Sequence, residues 1–275
     1  MQDVMMKVGK RLDLYLNKEQ IKSEAPLVFS NTPTNPNVSD KYLFVNTETI
    51  IDDLAKLNWY PVEVAQRKSH KKQGTIFSKH MVSFQNPDIK ISSKDGDNAY
   101  PRIILTNSHD GMQAFKFSVG IFRLVCSNGL VIADEKFSDF SIKHKGYSFE
   151  ELRNVIKQAV EDLPNRVQVM NDMKNRILSS EEKNKLALDA MLIRAGVNTL
   201  DYDKETIVDI LQPKRKEDEG SNLWTVFNVI QEKITQGEFH AALTGAKVRK
   251  VRAIRSFEKN LKVNKELFKL ATALI

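Results

Sequence analysis

Apolar residues recur in two rhythms along this chain, and the change of rhythm divides it. Near the N-terminus Val4, Val8, Leu12 and Leu16 repeat every four residues, with Ile21 beyond, which predicts a helix within residues 1–25. The stretch from Ala25 to Asp40, rich in Pro, Asn, Ser and Thr, reads as a loop or linker that would leave that helix a mobile arm or an oligomerisation element. Thr47 opens a short helix, TETIIDDLAKLN, in which Thr47 can act as the cap and Ile50, Ile51, Leu54 and Leu57 form the apolar side. The step Asn58-Trp59-Tyr60-Pro61 ends it.

From there the period shortens to two. Strands are expected at HMVSF (80–84), DIKIS (88–92), RIILTN (102–107), across QAFKFSVGIFRLVCS (113–127), and at FSIKH (140–144). Turn signals at Asn86-Pro87, Asp95-Gly96, Asp110-Gly111 and Asn128-Gly129 separate them, and consecutive hairpins give an antiparallel sheet. The helical rhythm returns at Ser148, which with Glu151 matches a capping box. Pro164 implies a kink or break in the helix that follows. Ser179 begins another helix, with Gly196 as its C-cap; a short helix covers 204–211, and an amphipathic one runs from Asn222 to Thr235. A final basic helix is expected over roughly 247–274. A β-rich centre followed by an α-rich second half is an α+β protein. The division expected is an N-terminal helix and linker (1–40), a β-rich core with a long helix (41–180), and a helical C-terminal region (181–275).

Charge changes the picture through its distribution. The net charge is +7, yet Lys247 to Lys269 alone holds nine basic residues and two acids. A second cluster, Arg67, Lys68, Lys71, Lys72 and Lys79, contains no acid. Such clustering is the footprint of a polyanion partner; its plain alternative is a solvated helix face and a solvated loop. On the expected last helix, Arg249, Arg252, Arg255, Lys259 and Lys262 would face phosphates while Val248, Val251 and Ile254 pack. Arg123 interrupts the apolar run GIFRLVC, so it must be paired or face a groove, where it could reach phosphate or a base.

Other chemistry is sparse. The single cysteine, Cys126, excludes an intrachain disulfide and reads as a small buried hydrophobe. His80, His109 and His144 fall at expected strand ends or turns and could converge with Asp110 on a metal; the alternative is scattered histidines and an Asp-Gly turn. Trp224, Asn228 and Gln231 share one helix side, either as a stacking platform with polar readers or as a packed Trp with hydrogen-bonded amides. The chain has no P-loop, dinucleotide glycine fingerprint, GxSxG, HExxH or zinc-finger spacing, so no cofactor is expected. No apolar run approaches membrane-spanning length and the first residues lack a signal-peptide core, so a cytoplasmic location without membrane attachment is expected.

These residues also carry a family resemblance. His80 in HMVSF, His109-Asp110-Gly111, Arg123, Cys126 with Asn128-Gly129, His144, the helix Trp224 to Gln231 and the Arg252/Arg255 segment resemble a family of uncharacterised phage- and plasmid-encoded proteins, known as a domain of unknown function, over about Thr47 to Leu270. The resemblance implies a mobile-element setting and transfers no catalytic residue. The order of a short helix ending in Asn-Trp, antiparallel strands and a long helix also looks like the core of single-strand annealing proteins, which work without ATP as rings or filaments. The function expected is therefore a non-enzymatic, oligomeric binder of nucleic acid, single-stranded DNA first, in annealing or recombination. The alternatives are a metal-dependent nuclease and an inhibitor or adaptor that docks on a host protein.

Overall fold

A computed structural model describes residues 15–35, 38, 44–66, 79–91, 99–110, 115–123, 140–142, 148–198, 204–237, 239–241 and 249–275, with backbone alone at 119–123, 140–142 and 204. The chain forms two compact units. The first comprises Met1–Ile121 and Asp134–Glu161, the second Phe122–Ala133 and Asp162–Ile275. The mixed α+β class expected from the sequence is the class observed.

In the first unit, helix α1 (Lys18–Glu24), a 3-10 turn (Pro26–Phe29) and helix α2 (Thr47–Lys56) precede five strands: β1 (Tyr60–Gln66), β2 (Lys79–Gln85), β3 (Ala99–Ser108), β4 (Phe115–Arg123) and β5 (Phe140–Ile142). The strands lie in sequence order in one sheet, and helix α3 (Phe149–Glu161) follows. Period two places His80, Val82 and Phe84 on one face of β2, opposite Asn107, Leu105 and Ile103 of the antiparallel β3. The apolar members of that row share a core with Ile21 of α1, Ile50 and Leu54 of α2, and Leu152 and Ile156 of α3. The row ends in the polar pair His80 and Asn107.

Three expectations are corrected here. Residues 16–29, read as the end of an arm and its linker, are built into the core: Leu16 N–H donates to the Pro61 carbonyl at 2.8 Å, and Ile21 and Val28 are fully buried. The cap of α2 is Asn46, whose side chain accepts the Glu48 N–H, so the Thr47 hydroxyl is released for another purpose. The segment 88–92 supplies no full strand among the described residues; Ile91 makes a two-bond bridge to Ala99. The break that Pro164 implies is present, with α3 ending at Glu161 and α4 (Leu163–Asn175) starting with Pro164 in its first turn, where the missing N–H costs nothing.

The second unit continues with α5 (Ser180–Ala195), α6 (Lys204–Leu211), α7 (Leu223–Gln236), the short strands β6 (His240–Ala241) and β7 (Arg249–Lys250), and α8 (Phe257–Thr272). Ser179 and Glu182 form the reciprocal cap at the start of α5, and Gly196 ends it at φ 73°. Helix α7, read as amphipathic, is buried on nearly every side because α4, α5, α6 and α8 all pack on it. Among the described residues no helix is long and apolar enough to cross a membrane.

Candidate functional site

Two arrangements concentrate chemistry, one in each unit. In the first, the apolar row shared by β2 and β3 gives way to a buried polar cluster at the start of α2. Thr47 Oγ1 lies 2.8 Å from His80 Nε2, 3.0 Å from His109 Nε2, and accepts from Asn107 Nδ2 at 3.0 Å. The Asn107 amide is oriented by the Ser108 N–H, which donates to its Oδ1 at 2.9 Å. A hydroxyl offers one proton and two lone pairs, so three partners saturate Thr47: one imidazole donates to it and the other accepts from it. His80 Nδ1 is sealed without a partner. The two imidazoles meet edge to face at 4.8 Å, Phe44 packs on His109, and Ser108 Oγ donates to Asp110 Oδ1 at 2.7 Å.

This cluster answers the metal reading for the described residues. His80, His109 and Asp110 are all buried, and no three His, Cys, Asp or Glu side chains among the described residues are placed to hold a metal. His144 lies outside the described residues. Histidine convergence is real, but a threonine hydroxyl sits at its centre.

Burial first, and the neighbouring His109 second, hold the His80 imidazole well below its ordinary pKa. The unfolded chain therefore takes up a proton that the folded one refuses. Stability from this site is complete above the unfolded pKa of about 6.5 and declines below it by up to ~1.4 kcal/mol per pH unit. The first unit is expected to lose about 1.4 kcal/mol from His80 between about pH 7.5 and 5.5, and His80→Gln should flatten that dependence. Urea unfolding read by the fluorescence of buried Trp59 measures it; equal pH slopes in both proteins would refute the assignment.

In the second unit the basic segment is not the helix its spacing suggests. Residues 251–256 run outside any helix across the C-terminal end of α7, and α8 begins at Phe257 behind a Ser256 cap. Val251 N–H donates to Phe239 O at 2.9 Å, and Ile254 N–H to Thr235 O at 2.8 Å. Buried Arg194 donates from Nη2 to Arg252 O at 2.8 Å and from Nε to Ile234 O at 3.2 Å. The close crossing depends on Gly237, at φ 69°, where a Cβ would stand 2.4 Å from the Arg252 carbonyl carbon. With Val251 and Ile254 turned in, Arg249, Lys250, Arg252 and Arg255 are exposed on this strap, and Lys259 and Lys262 follow exposed on α8. Among the described residues no carboxylate pairs with Arg249, Lys250, Arg252, Arg255 or Lys259, whereas Lys262 reaches Glu266 at 3.8 Å.

Of the other sequence candidates, Arg67, Lys68, Lys71 and Lys72 lie outside the described residues, as does Cys126. Lys79 opens β2 half-buried, opposite Ser108. Arg123 ends β4, with its side chain outside the description. Trp224 is 2% exposed, Asn228 Nδ2 donates to its carbonyl at 2.7 Å, and Gln231 Nε2 donates to Asn264 Oδ1 at 2.7 Å, so this helix packs and offers no stacking platform. Sequence reasoning missed Thr47 as a buried hub and Arg194 as the anchor of the strap. Arg194 carried a weak signal, since it falls on the buried side of its helix with Ala187, Ala190 and Met191.

Comparison with known proteins places the chain without giving it a chemistry. The UPF0380 protein YafZ of Escherichia coli (strain K12) is 31% identical over 268 residues, covering 96% of this chain and 93% of that protein. The UPF0380 protein YfjQ of the same organism is 30% identical over the same shares. No solved structure matches. The family model described as a domain of unknown function, DUF932, matches residues 36–268, and this chain belongs to that family.

Proposed function

We propose that this protein binds nucleic acid, single strands before duplex, through the strap and the start of α8, and that it serves strand annealing or recombination in a mobile-element setting without a nucleotide cofactor. The observation that carries the binding is the strap itself: four cations, Arg249, Lys250, Arg252 and Arg255, with no carboxylate partner among the described residues, on one non-helical segment that leads into Lys259 of α8. Charges left unpaired at a protein surface and aligned along the main chain suit a polymer of phosphates. The annealing role is supported more loosely, by the order of short helix, antiparallel strands and helix in the first unit. Assembly of several chains would multiply weak phosphate contacts.

Labelled single- and double-stranded DNA titrated across a salt series tests this, with annealing of complementary strands followed in the same samples. Changing Arg249, Arg252, Arg255 and Lys259 together to Ala should reduce the single-strand salt slope by about 3 and weaken low-salt binding about a hundredfold or more. No binding by the unaltered chain at low salt ends the nucleic-acid reading; binding without faster annealing ends the annealing role alone. Unchanged slope in the fourfold variant would move the contacts elsewhere.

A further inference from the structure

Beside the strap, still within the second unit, a groove of about 750 Å³ opens between the C-terminal end of α5 and the first half of α8. Its charged lining is Arg194 from α5 and Glu258, Lys259, Lys262 and Glu266 from α8. Arg194 is 9% exposed, and its two hydrogen bonds go to main-chain carbonyls. Elsewhere in this unit the buried guanidinium of Arg166 pairs with Asp162 at 3.0 Å, and the half-buried one of Arg215 with Asp218 at 2.9 Å and with Glu232. Arg194 has none among the described residues. The carbonyl end of α5 favours a cation in its last turn, so the charge is tolerated there without being cancelled. Three of the five guanidinium N–H groups remain beyond the two carbonyl bonds.

Lys259 is the second unpaired cation on this groove. Burial first, and the charge of Arg194 second, pull its pKa below the ordinary lysine value. Of the opposing acids, Glu266 is engaged by Lys262. Two cations that repel each other across a solvent-open groove are what a doubly charged anion relieves.

The geometry points to a phosphate-binding site in this groove, with Arg194 as a pre-oriented fork held by the Ile234 and Arg252 carbonyls and Lys259 as the ammonium that closes on the anion. The phosphate belongs either to a bound strand or to a phosphorylated small molecule, and the site shares Lys259 with the proposed strand-binding surface while resting on Arg194 and the groove in its own right. Because Arg194 also holds the strap, an anion in the groove and a strand on the strap would share one anchor.

Calorimetric titration of the full chain with inorganic pyrophosphate, against chloride at matched ionic strength, tests the site. Lys259→Gln is expected to weaken pyrophosphate about tenfold, equivalent to about 1.4 kcal/mol. Arg194→Lys, which keeps the charge and loses the fork, should do the same, with circular dichroism confirming its fold. Lys216→Gln, an exposed cation of the same unit outside both the strap and the groove lining, should leave the affinity unchanged. No pyrophosphate binding by the unaltered chain, or equal losses in Lys259→Gln and Lys216→Gln, would overturn the site. Displacement of a bound labelled strand by pyrophosphate makes a strand phosphate the occupant; both bound together makes it a free phosphorylated ligand. A chain that binds pyrophosphate through Lys259 but binds no strand would end the proposed function and leave this site standing.

Discussion

Replacing Thr47 with Val is expected to destabilise the first unit by about 3–5 kcal/mol, with no cavity to account for it. Valine matches threonine in shape, so the loss isolates the hydroxyl. It removes the shared partner of His80 Nε2, His109 Nε2 and Asn107 Nδ2 in a site closed to solvent, where all three residues are at most 2% exposed. Each buried polar group left without its bond costs about 1–3 kcal/mol, partly relieved where Asn107 keeps its longer bond to the Val45 carbonyl. Thr47→Ser, which keeps the hydroxyl and loses one methyl, should cost about 1 kcal/mol. The measurement is urea unfolding with Trp224 changed to Phe, so that Trp59 reports the first unit alone; the chain has two tryptophans, one in each unit. Equal stability of the Val and Ser variants would show that the hydroxyl is not the hub.

Gly237→Ala should destabilise the second unit by about 3 kcal/mol, the sum of left-handed backbone strain of ~1–2 kcal/mol and overpacking of ~1–3 kcal/mol. The added Cβ meets Arg252 C at 2.4 Å and Val251 O at 2.5 Å, both main-chain atoms that no rotamer change can move aside. Gly196→Ala is the matched control. It sits at φ 73° as the C-cap of α5, yet a Cβ there meets nothing within 4 Å, so strain alone applies, at about 1–2 kcal/mol. The difference between the two caps measures the closeness of the strap. Unfolding read by Trp224 in a Trp59→Phe background gives the stabilities, and strand binding should fall in Gly237→Ala but not in Gly196→Ala. Equal costs at both caps would mean that the strap yields freely.

Where the sequence could be read, the reason was local. Ser179 with Glu182, Asn222, Gly196 and Pro164 act on backbone groups within four residues of themselves, so their roles survive whatever packs around them. Alternation along 80–84 and 102–107 likewise marks strands whatever the partner, and the α+β class follows from the order of the two rhythms.

What the chain order could not settle were choices between equally good local options. Asn46 and Thr47 can both cap α2; Thr47 is drawn away because His80, Asn107 and His109, between 33 and 62 residues further on, fold back over its hydroxyl. The spacing of Arg249, Arg252 and Arg255 suits a helix as well as an exposed edge. It becomes a strap because the N–H groups of Val251 and Ile254 find the Phe239 and Thr235 carbonyls, and because Gly237 lets the two backbones approach. Trp224 packs because four helices surround α7, a number that periodicity within α7 does not encode. Sequence by itself determined the paired strands at 80–84 and 102–107, the caps at Ser179, Asn222 and Gly196 and the concentration of positive charge, since each depends on neighbours along the chain. Tertiary structure alone decided which polar groups are sealed together and which cations are left without a partner, since hydrogen bonds and ion pairs between distant residues exist only once the chain has closed on itself.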